Sequence, residues 1–315
     1  MVLTILKRLL TLAITLLVSS FLVFGSMYLV PGDPLSFLLQ GREPSPEAVA
    51  AVTEQYGLDR PFVVRYLDWL GGAFRGDFGR SFQFRDDVTS LVWSRLPTTM
   101  ALLVYAGLII VVVGVISGIA AALHRGRALD RIVLVVLSGF AAIPSFVAAI
   151  VLIAVFAVQL QWFPSFGAGE GLGMIPHLTL PAIALAFTFI AMLGRITRSS
   201  MLDQLGREHV EVAESRGLSR PSVIRRHVFR NALGPITTIA GILIAGLMVS
   251  STVVEQSFGV AGIGSLLVSA VDRKDFPVAQ AIVLLIVTVF VVVNAIVTVL
   301  QPLIDPRSAA REAAR

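Results

Sequence analysis

The sequence predicts an all-α membrane protein with six transmembrane helices, and two observations lead to this prediction. The chain of 315 residues is 56% hydrophobic and only 14% charged, whereas a soluble domain is about 25% charged. Its apolar residues also form six runs of the length that crosses a hydrocarbon core of ~30 Å as a helix. The runs, none of which contains Asp, Glu, Lys or Arg, cover residues 9–30, 98–123, 132–160, 178–194, 232–254 and 277–301.

The prolines and small residues of these runs predict local features. The first run is longer than the apolar core of a signal peptide, so we interpret it as an uncleaved first helix. Pro144 lies inside the third run and predicts a kink there. Pro181 and Pro235 are expected near the starts of their helices, where a missing N–H costs little. Two pairs of small residues predict close helix contacts, unless they reflect only the high glycine content of membrane helices: Gly114 with Gly118, and Gly241 with Ala245.

The distribution of lysine and arginine predicts which helix ends face the cytoplasm. With the N-terminus inside, the inner segments hold 16 of the 25 basic residues in 67 positions, and the outer segments hold 9 in 106 positions. Short segments rich in Lys and Arg stay on the inner side, so both termini are predicted to be cytoplasmic. The inner segments are 1–8, 124–131, 195–231 and 302–315, and the outer segments are 31–97, 161–177 and 255–276.

These segments divide the chain into four parts. They are the N-terminal end with the first helix (1–30), a periplasmic insert (31–97), a core of five helices (98–301) and a cytoplasmic tail (302–315). The core includes the cytoplasmic loop 195–231. The insert is polar and rich in Gly, Pro and Asp, and its amphipathic pieces at about 46–56 and 61–71 predict two short helices.

The sequence lacks the motifs of several kinds of binding and catalytic site. There is no cysteine, and there is no phosphate-binding loop, because neither Lys7 nor Lys274 follows a glycine. Hydrolase and metal-site motifs are also absent, so we predict no catalytic residue and no metal ligand. Ion-coupled carriers bind their ion at membrane depth through a carboxylate or histidine, and the six runs contain neither. Asn294 is the most polar residue deep in a run, and either an interhelical hydrogen bond or a transport role would explain it.

The loop 195–231 is predicted to fold as two short helices joined by a sharp turn. Gly217 fits the position after a helix end, where a left-handed backbone conformation stops the helix. Ser219 is a plausible N-cap, and Pro221 fits the first turn of the second helix. This second helix would run into the fifth apolar run. Such a compact unit, unlike a flexible linker, can transmit a push from a partner protein.

This loop resembles the "EAA" loop of ATP-binding-cassette (ABC) importer permeases, in which Glu-Ala-Ala is followed after three residues by Gly. Glu211, Ala213 and Gly217 match the pattern, while Val212 replaces the middle alanine. The later Leu-Pro of the family is replaced by Phe229 and Arg230, and the run 230–233 (R-N-A-L) resembles the peptide-importer branch. The resemblance implies that the loop couples to an ATPase. Its coupling residues would be Glu211, Ala213, Gly217, Leu218, Arg230 and Asn231.

Further stretches, distributed over essentially the whole chain, resemble the first permease of dipeptide, oligopeptide and nickel importers. Their order and spacing are more specific than any one of them. Two departures, Ala261 in place of proline and Gln301 in place of tyrosine, affect only the local loop geometry that we expect. The stretches are Pro31-Gly32-Asp33-Pro34, Gly57-Leu58-Asp59-Arg60-Pro61, Tyr66, Trp69, Gly76-Asp77-Phe78-Gly79-Arg80-Ser81, Arg95-Leu96-Pro97-Thr98-Thr99, Glu255, Phe258, Gly262-Ile263-Gly264, Asp275-Phe276-Pro277, Asn294 and Asp305-Pro306-Arg307.

The resemblance implies a type I ABC importer permease in a bacterial inner membrane, with no enzyme activity and no cofactor of its own. Its expected partners are a second homologous permease, two ATPase subunits or domains that bind ATP and Mg, and an extracytoplasmic substrate-binding protein, with no nucleic acid. The insert 31–97 would either dock the binding protein or pack as a lid. Peptides are the expected cargo, with nickel or glutathione as alternatives, and an ion-coupled secondary carrier is the rival class. Ser250, Ser251, Thr252 and Asn294 are the candidate residues of the translocation path.

Overall fold

Most of the chain that the structure describes is helical, with turns and irregular segments between the helices. The computed structural model describes residues 2–29, 53 and 59–304. Its helices are α1 Val2–Leu29, α2 Phe62–Phe74, α3 Val88–Leu123, α4 Ala128–Ala142, α5 Ser145–Leu152, α6 Met174–Leu205, α7 Glu208–Ser215, α8 Arg220–Val223, α9 Arg230–Ser257, α10 Ile263–Asp272 and α11 Phe276–Ile304. π-Helical stretches follow α5 (Ile153–Gln159) and join α8 to α9 (Ile224–Phe229), and a 3-10 turn, Gly171–Gly173, precedes α6. The predicted all-α fold is confirmed.

Some of the predicted features lie outside the described residues. These are the turn at 31–34, the stretch at 57–58, the helical piece at 46–56 except for residue 53, and the tail from residue 305 onward. The other predicted helix of the insert, at about 61–71, corresponds to α2.

Five of the six predicted runs fall on one helix each within the described residues, and the third run falls on α4, α5 and the π-helical stretch that follows. By length and composition, three described helices can cross a membrane by themselves: α3, Gly171–Leu205, and Phe276–Val297 of α11. The number rises to five if two bent pairs each form one span, namely α4 with Ser145–Gln159, and Arg220–Leu243 with Ala245–Ser257. In α1 the apolar stretch Leu10–Ser26 is shorter than the ~20 residues of an ordinary span.

The positions of three prolines show where the helices begin or break compared with the apolar runs. Pro144 breaks its run as predicted, because α4 and the helix that begins at Ser145 meet at 100°. The expectation that Pro181 and Pro235 lie near helix starts is wrong, since both are inside their helices. The reason is that α6 begins at Met174 and α9 continues a helix that begins at Arg220, so both helices start before their apolar runs.

The chain forms two compact units, Met1–Pro97 with Ser265–Val291, and Thr98–Gly264 with Val292–Arg315. In the second unit α6 is central and packs against α4, α5 and α9. In each of the two predicted pairs of small residues, one glycine, Gly118 or Gly241, lies in close contact with another helix. A Cβ atom on Gly118 would lie 2.5 Å from the carbonyl oxygen of Gly194 in α6, and one on Gly241 would collide with Val297 of α11.

In the first unit, α2 packs along α1, and the segment after α2 is held at the start of α11. Asp275 is fully buried, and its carboxylate accepts hydrogen bonds from the hydroxyl of Ser81 at 2.5 Å and from the backbone nitrogens of Phe82 and Gln83 at 3.2 Å. This carboxylate therefore fixes residues 81–83 to the N-terminal end of α11.

Candidate functional site

The connection between α6 and α9, residues 206–231, forms the compact pair of helices that the sequence predicts. α7 ends at Ser215, and Gly217 follows with a φ of 75°. The nitrogen of Gly217 donates to the carbonyl oxygen of Glu214 at 2.9 Å, and the nitrogen of Leu218 donates to that of Ala213 at 3.4 Å. These two bonds are those of a Schellman motif, which ends a helix with a left-handed residue. The predicted backbone conformation of Gly217 is confirmed.

The second helix of the connection also begins where it was predicted to begin. Ser219 occupies the N-cap position with an extended backbone, and Pro221 lies in the first turn of α8. The hydroxyl of Ser219, however, makes no capping hydrogen bond, so the turn is stabilised by proline geometry and by the Gly217 motif. From α8 the helix continues without a break through the π-helical stretch into α9.

Apolar side chains of the two helices hold this connection, which we call the knob (residues 206–231), on the end of α6. Val210 and Ala213 are the buried residues of α7, and Val223 and Val228 are the buried residues of the following helix. All four belong to the same buried cluster as Met201 of α6. Ala213, one of the predicted coupling residues, therefore faces inward and positions α7.

The outer surface of the knob combines acidic and apolar residues. Glu208, Glu211 and Glu214 of α7 are all exposed. Beside them, Val212 is 50% exposed and Leu218 is 43% exposed.

Asn231 connects the two halves of the knob. Its side-chain nitrogen donates to the carbonyl oxygen of His227 at 2.6 Å and lies 3.3 Å from Nε2 of His209. His209 is on α7, so this contact ties α7 to the start of α9. Arg230, the neighbouring predicted residue, is exposed. The structure thus places the six predicted coupling residues within one unit, with Glu211, Leu218 and Arg230 outward and Ala213 inward.

An ion pair that sequence reasoning missed ties α4 to α6. Asp130 is buried in the first turn of α4, and Arg198 binds it through two hydrogen bonds, Nε to Oδ1 at 2.7 Å and Nη2 to Oδ2 at 2.9 Å. The nitrogen of Gly126 donates to the same carboxylate at 2.9 Å. A bidentate pair of this kind fixes orientation as well as distance, so α6, which carries the knob at its end, is held at a fixed angle to α4.

A second cluster surrounds Glu255, a residue that the family resemblance singled out without giving it a role, and which is fully buried near the end of α9. The hydroxyl of Thr99 donates to Oε1 of Glu255 at 2.7 Å and accepts from the nitrogen of Ile263 at 2.8 Å. Gly262 leaves the space that these groups need, because a Cβ atom there would lie 2.5 Å from the Thr99 hydroxyl oxygen and would collide with the Glu255 carboxylate. The cluster joins α3, α9 and the start of α10.

The candidate residues of the translocation path are not assembled into a visible path. Ser251 is buried, and its hydroxyl donates to the carbonyl oxygen of Met248 in its own helix at 2.9 Å. Thr252 packs against Gly264, while Ser250 and Asn294 are half-buried. Because consecutive helical residues point about 100° apart, the three residues 250–252 cannot share one face, and their role stays a prediction.

Comparison with known families gives two matches that together cover most of the chain. The model of the binding-protein-dependent transport system inner membrane component matches residues 110–309. The model of the N-terminal part of the membrane component of binding-protein-dependent transport systems matches residues 1–103.

Relatives with assigned names match over nearly their whole length. A protein of Brucella abortus (strain 2308) that bears the name of a peptide transport system permease is 38% identical over 307 residues, which cover 96% of this chain and 98% of the relative. The glutathione transport system permease protein GsiC of Salmonella choleraesuis (strain SC-B67) is 36% identical over 302 residues, which cover 96% and 97% of the two chains.

The fold resembles that of a solved transporter. A chain of the MetNI methionine ABC transporter, in an inward facing conformation, superposes with a TM-score of 0.57 at 17% sequence identity. The superposition covers 68% of this chain and 96% of the MetNI chain. At this level of identity the likeness is one of fold.

Proposed function

Because the chain belongs to the family of binding-protein-dependent transport system inner membrane components, and is therefore a multi-pass permease, we propose that it translocates peptides as one subunit of an ATP-driven importer. The observation that carries the proposal is the two-helix knob. Buried side chains hold it on the end of α6, a left-handed Gly217 fixes its turn, and Glu211, Val212 and Leu218 are exposed where a protein partner could bind.

The proposed cargo follows from the relatives. Proteins that cover at least 96% of this chain bear the names of peptide and glutathione permeases. Glutathione is itself a tripeptide, so both names describe short peptides. The six apolar runs contain no charged residue that would select one kind of side chain, so selectivity would lie mainly in the binding protein that delivers the peptide.

The proposed mechanism is mechanical, with no catalytic step on this chain. ATP and Mg would be bound by two ATPase subunits or domains in the cytoplasm, and closure of the ATPase pair would move the knob. α6 precedes the knob in the chain and α9 follows it. Displacement of the knob therefore moves two helices of the core together. The buried ion pair of Arg198 with Asp130 passes the same movement to α4. A second, homologous permease would complete the pathway.

The orientation belongs to the proposal. The positive-inside rule places the knob and both termini in the cytoplasm, where the ATPases would be. The insert 31–97 and residues 255–276 would then face the binding protein on the outer side.

A direct test is uptake by the reconstituted complex of this chain, its permease partner, its ATPases and its binding protein. We expect ATP in the ATPase compartment, with the peptide-loaded binding protein outside, to drive uptake in the presence of proton and sodium ionophores, because the apolar runs carry no ion-binding group. A non-hydrolysable ATP analogue is the control and should give no uptake. Loss of uptake on adding ionophore at constant ATP would favour the ion-coupled carrier. ATP-driven uptake of a nickel complex but of no peptide would keep the importer and replace its cargo.

A further inference from the structure

The helix α2 of the insert packs against the apolar run of α1. Phe62 and Tyr66 of α2 stack edge-on against Phe21 at 5.6 Å and 5.3 Å, and Trp69 lies 5.4 Å from Phe24. The hydroxyl of Tyr66 lies 2.8 Å from that of Ser20. All the α1 partners are inside the apolar run 9–30.

The position of these contacts along α1 gives the depth of α2. At a rise of about 1.5 Å per residue, Phe24 lies about 8 Å and Phe21 about 12 Å along the helix from Leu29, where α1 ends. Half of the hydrocarbon core is about 15 Å thick. If α1 spans the bilayer, α2 therefore lies at the level of one leaflet and not in the water above it.

α2 is amphipathic, as a helix at the membrane interface must be. Val63, Leu67, Leu70 and Phe74, three or four residues apart, form one apolar stripe beside the face that contacts α1. Val63, Leu67 and Phe74 are 60%, 57% and 81% exposed. Arg65 and Asp68 lie on the opposite side of the helix, and Asp68 pairs at 3.2 Å with Arg60, with both side chains more than half exposed.

The stripe continues into an apolar groove between helices of the same unit. Leu70 and Phe74 line this groove of about 570 Å³ together with Leu12 and Leu16 of α1 and Leu284 of α11. Apart from Ser20, Thr89 and Thr288, every lining residue is apolar. The groove thus joins the stripe of α2 to the apolar surface of α1, where Leu17 lines the groove and is 46% exposed.

We propose that α2 is an interfacial helix whose stripe Val63, Leu67, Leu70 and Phe74 is covered by the acyl chains of membrane lipids, with Asp68 toward the water. Lipid is favoured over a partner helix because the exposed residues of the stripe are large and branched or aromatic, whereas contacts between membrane helices favour small residues. An amphipathic helix in this position buries its apolar side about 5–10 Å into the headgroup and acyl boundary. This inference concerns the insert and does not depend on which cargo is carried.

The absence of cysteine from the chain allows a sharp test with two adjacent positions. Leu67→Cys and Asp68→Cys variants, each in the full reconstituted complex, would be labelled with a membrane-impermeant charged maleimide. We expect Leu67→Cys to react at least roughly tenfold more slowly, because an apolar environment disfavours the reactive thiolate and excludes the charged reagent. Asp68→Cys is the matched control, since both positions share one helix and one vesicle orientation. Equal labelling rates would overturn the proposal.

A second measurement separates lipid from protein as the covering material. A nitroxide attached to each cysteine should collide more with oxygen than with a water-soluble nickel chelate at position 67, and the reverse should hold at position 68. Protection of position 67 from both collision partners would mean that protein covers the stripe, and this result would also overturn the proposal.

Discussion

At the residue scale, Gly217 is the proposed coupling residue whose backbone conformation restricts which side chains it can carry. Its φ of 75° lies in the left-handed region, which costs other residues roughly 1–2 kcal/mol and β-branched residues more. Space is not the constraint, since a Cβ atom there would contact nothing within 4 Å. We predict that Gly217→Val turns α8 relative to α7, so that the variant inserts into the membrane at a near-normal level but transports poorly. The measurements are membrane abundance and substrate-stimulated ATPase activity of the reconstituted complex.

Gly206 provides the matched control in the same knob. Its φ is −90°, which valine adopts without left-handed strain. A Cβ atom added to Gly206 would lie 3.9 Å from the backbone oxygen of Leu202, which is an ordinary contact distance. Gly206→Val should therefore retain stimulated ATPase activity and uptake. Normal coupling in Gly217→Val, or an equal loss in both variants, would contradict the role assigned to the Gly217 turn.

The residues that could be predicted from the sequence are those whose role is local. Glycine at position 217 indicates a left-handed backbone at that same residue, and Pro144 breaks the helix that contains it. Both features were therefore predicted without knowledge of the fold. Glu255 and Asp130 could not be assigned in this way, because Glu255 meets a hydroxyl 156 residues away and Asp130 meets a guanidinium 68 residues away. The family resemblance singled out Glu255 but gave no sign of its partners, because those lie elsewhere in the sequence.

At the element scale, the apolar runs locate the helices but not their ends. α3 begins at Val88, ahead of the run that starts at residue 98, because Asp87 accepts hydrogen bonds from the nitrogens of Thr89 and Ser90 at 2.7 Å and 3.2 Å. Such capping stabilises a polar first turn that hydropathy cannot reveal. The same separation between helix end and run end explains the wrong placement of Pro181 and Pro235.

The hydrogen bonds of Thr99 at the junction of α3, α9 and α10 are expected to stabilise the fold. Thr99→Val keeps the shape of the side chain but removes the donor to Glu255 and the acceptor for the Ile263 nitrogen. We expect a destabilisation of about 1–3 kcal/mol, as for a buried polar group that loses its partner. The thermal unfolding midpoint of the purified protein should fall accordingly. Thr98→Val, at the half-buried neighbouring position, is the control, and equal shifts in the two variants would show that the cluster does not stabilise the junction.

At the scale of the whole molecule, the orientation in the membrane decides whether the knob can meet an ATPase. The family and the long apolar helices establish a multi-pass membrane protein, and the direction of insertion is predicted from charge alone. Inner segments would carry 16 of the 25 basic residues in 67 positions, against 9 in 106 outside. The loop 195–231, which contains the knob, contributes most to this bias, so the charge that orients the chain lies in the same segment as the proposed coupling surface.

Reporter fusions test this orientation at five positions. Fusions after Arg127, Arg220 and Arg311 should report the cytoplasm, and fusions after Asp68 and Asp272 should report the periplasm. Asp68 is an informative position, because its side chain is directed away from the apolar stripe of α2, and it should report the outer side even if that helix lies in the interface. The expected pattern reverses as a whole if the chain inserts with its N-terminus outside. A periplasmic signal after Arg220 would place Glu211 and Gly217 where no ATPase can reach them. In that case the knob would still be a rigid pair of helices, but the coupling mechanism built on it would be wrong.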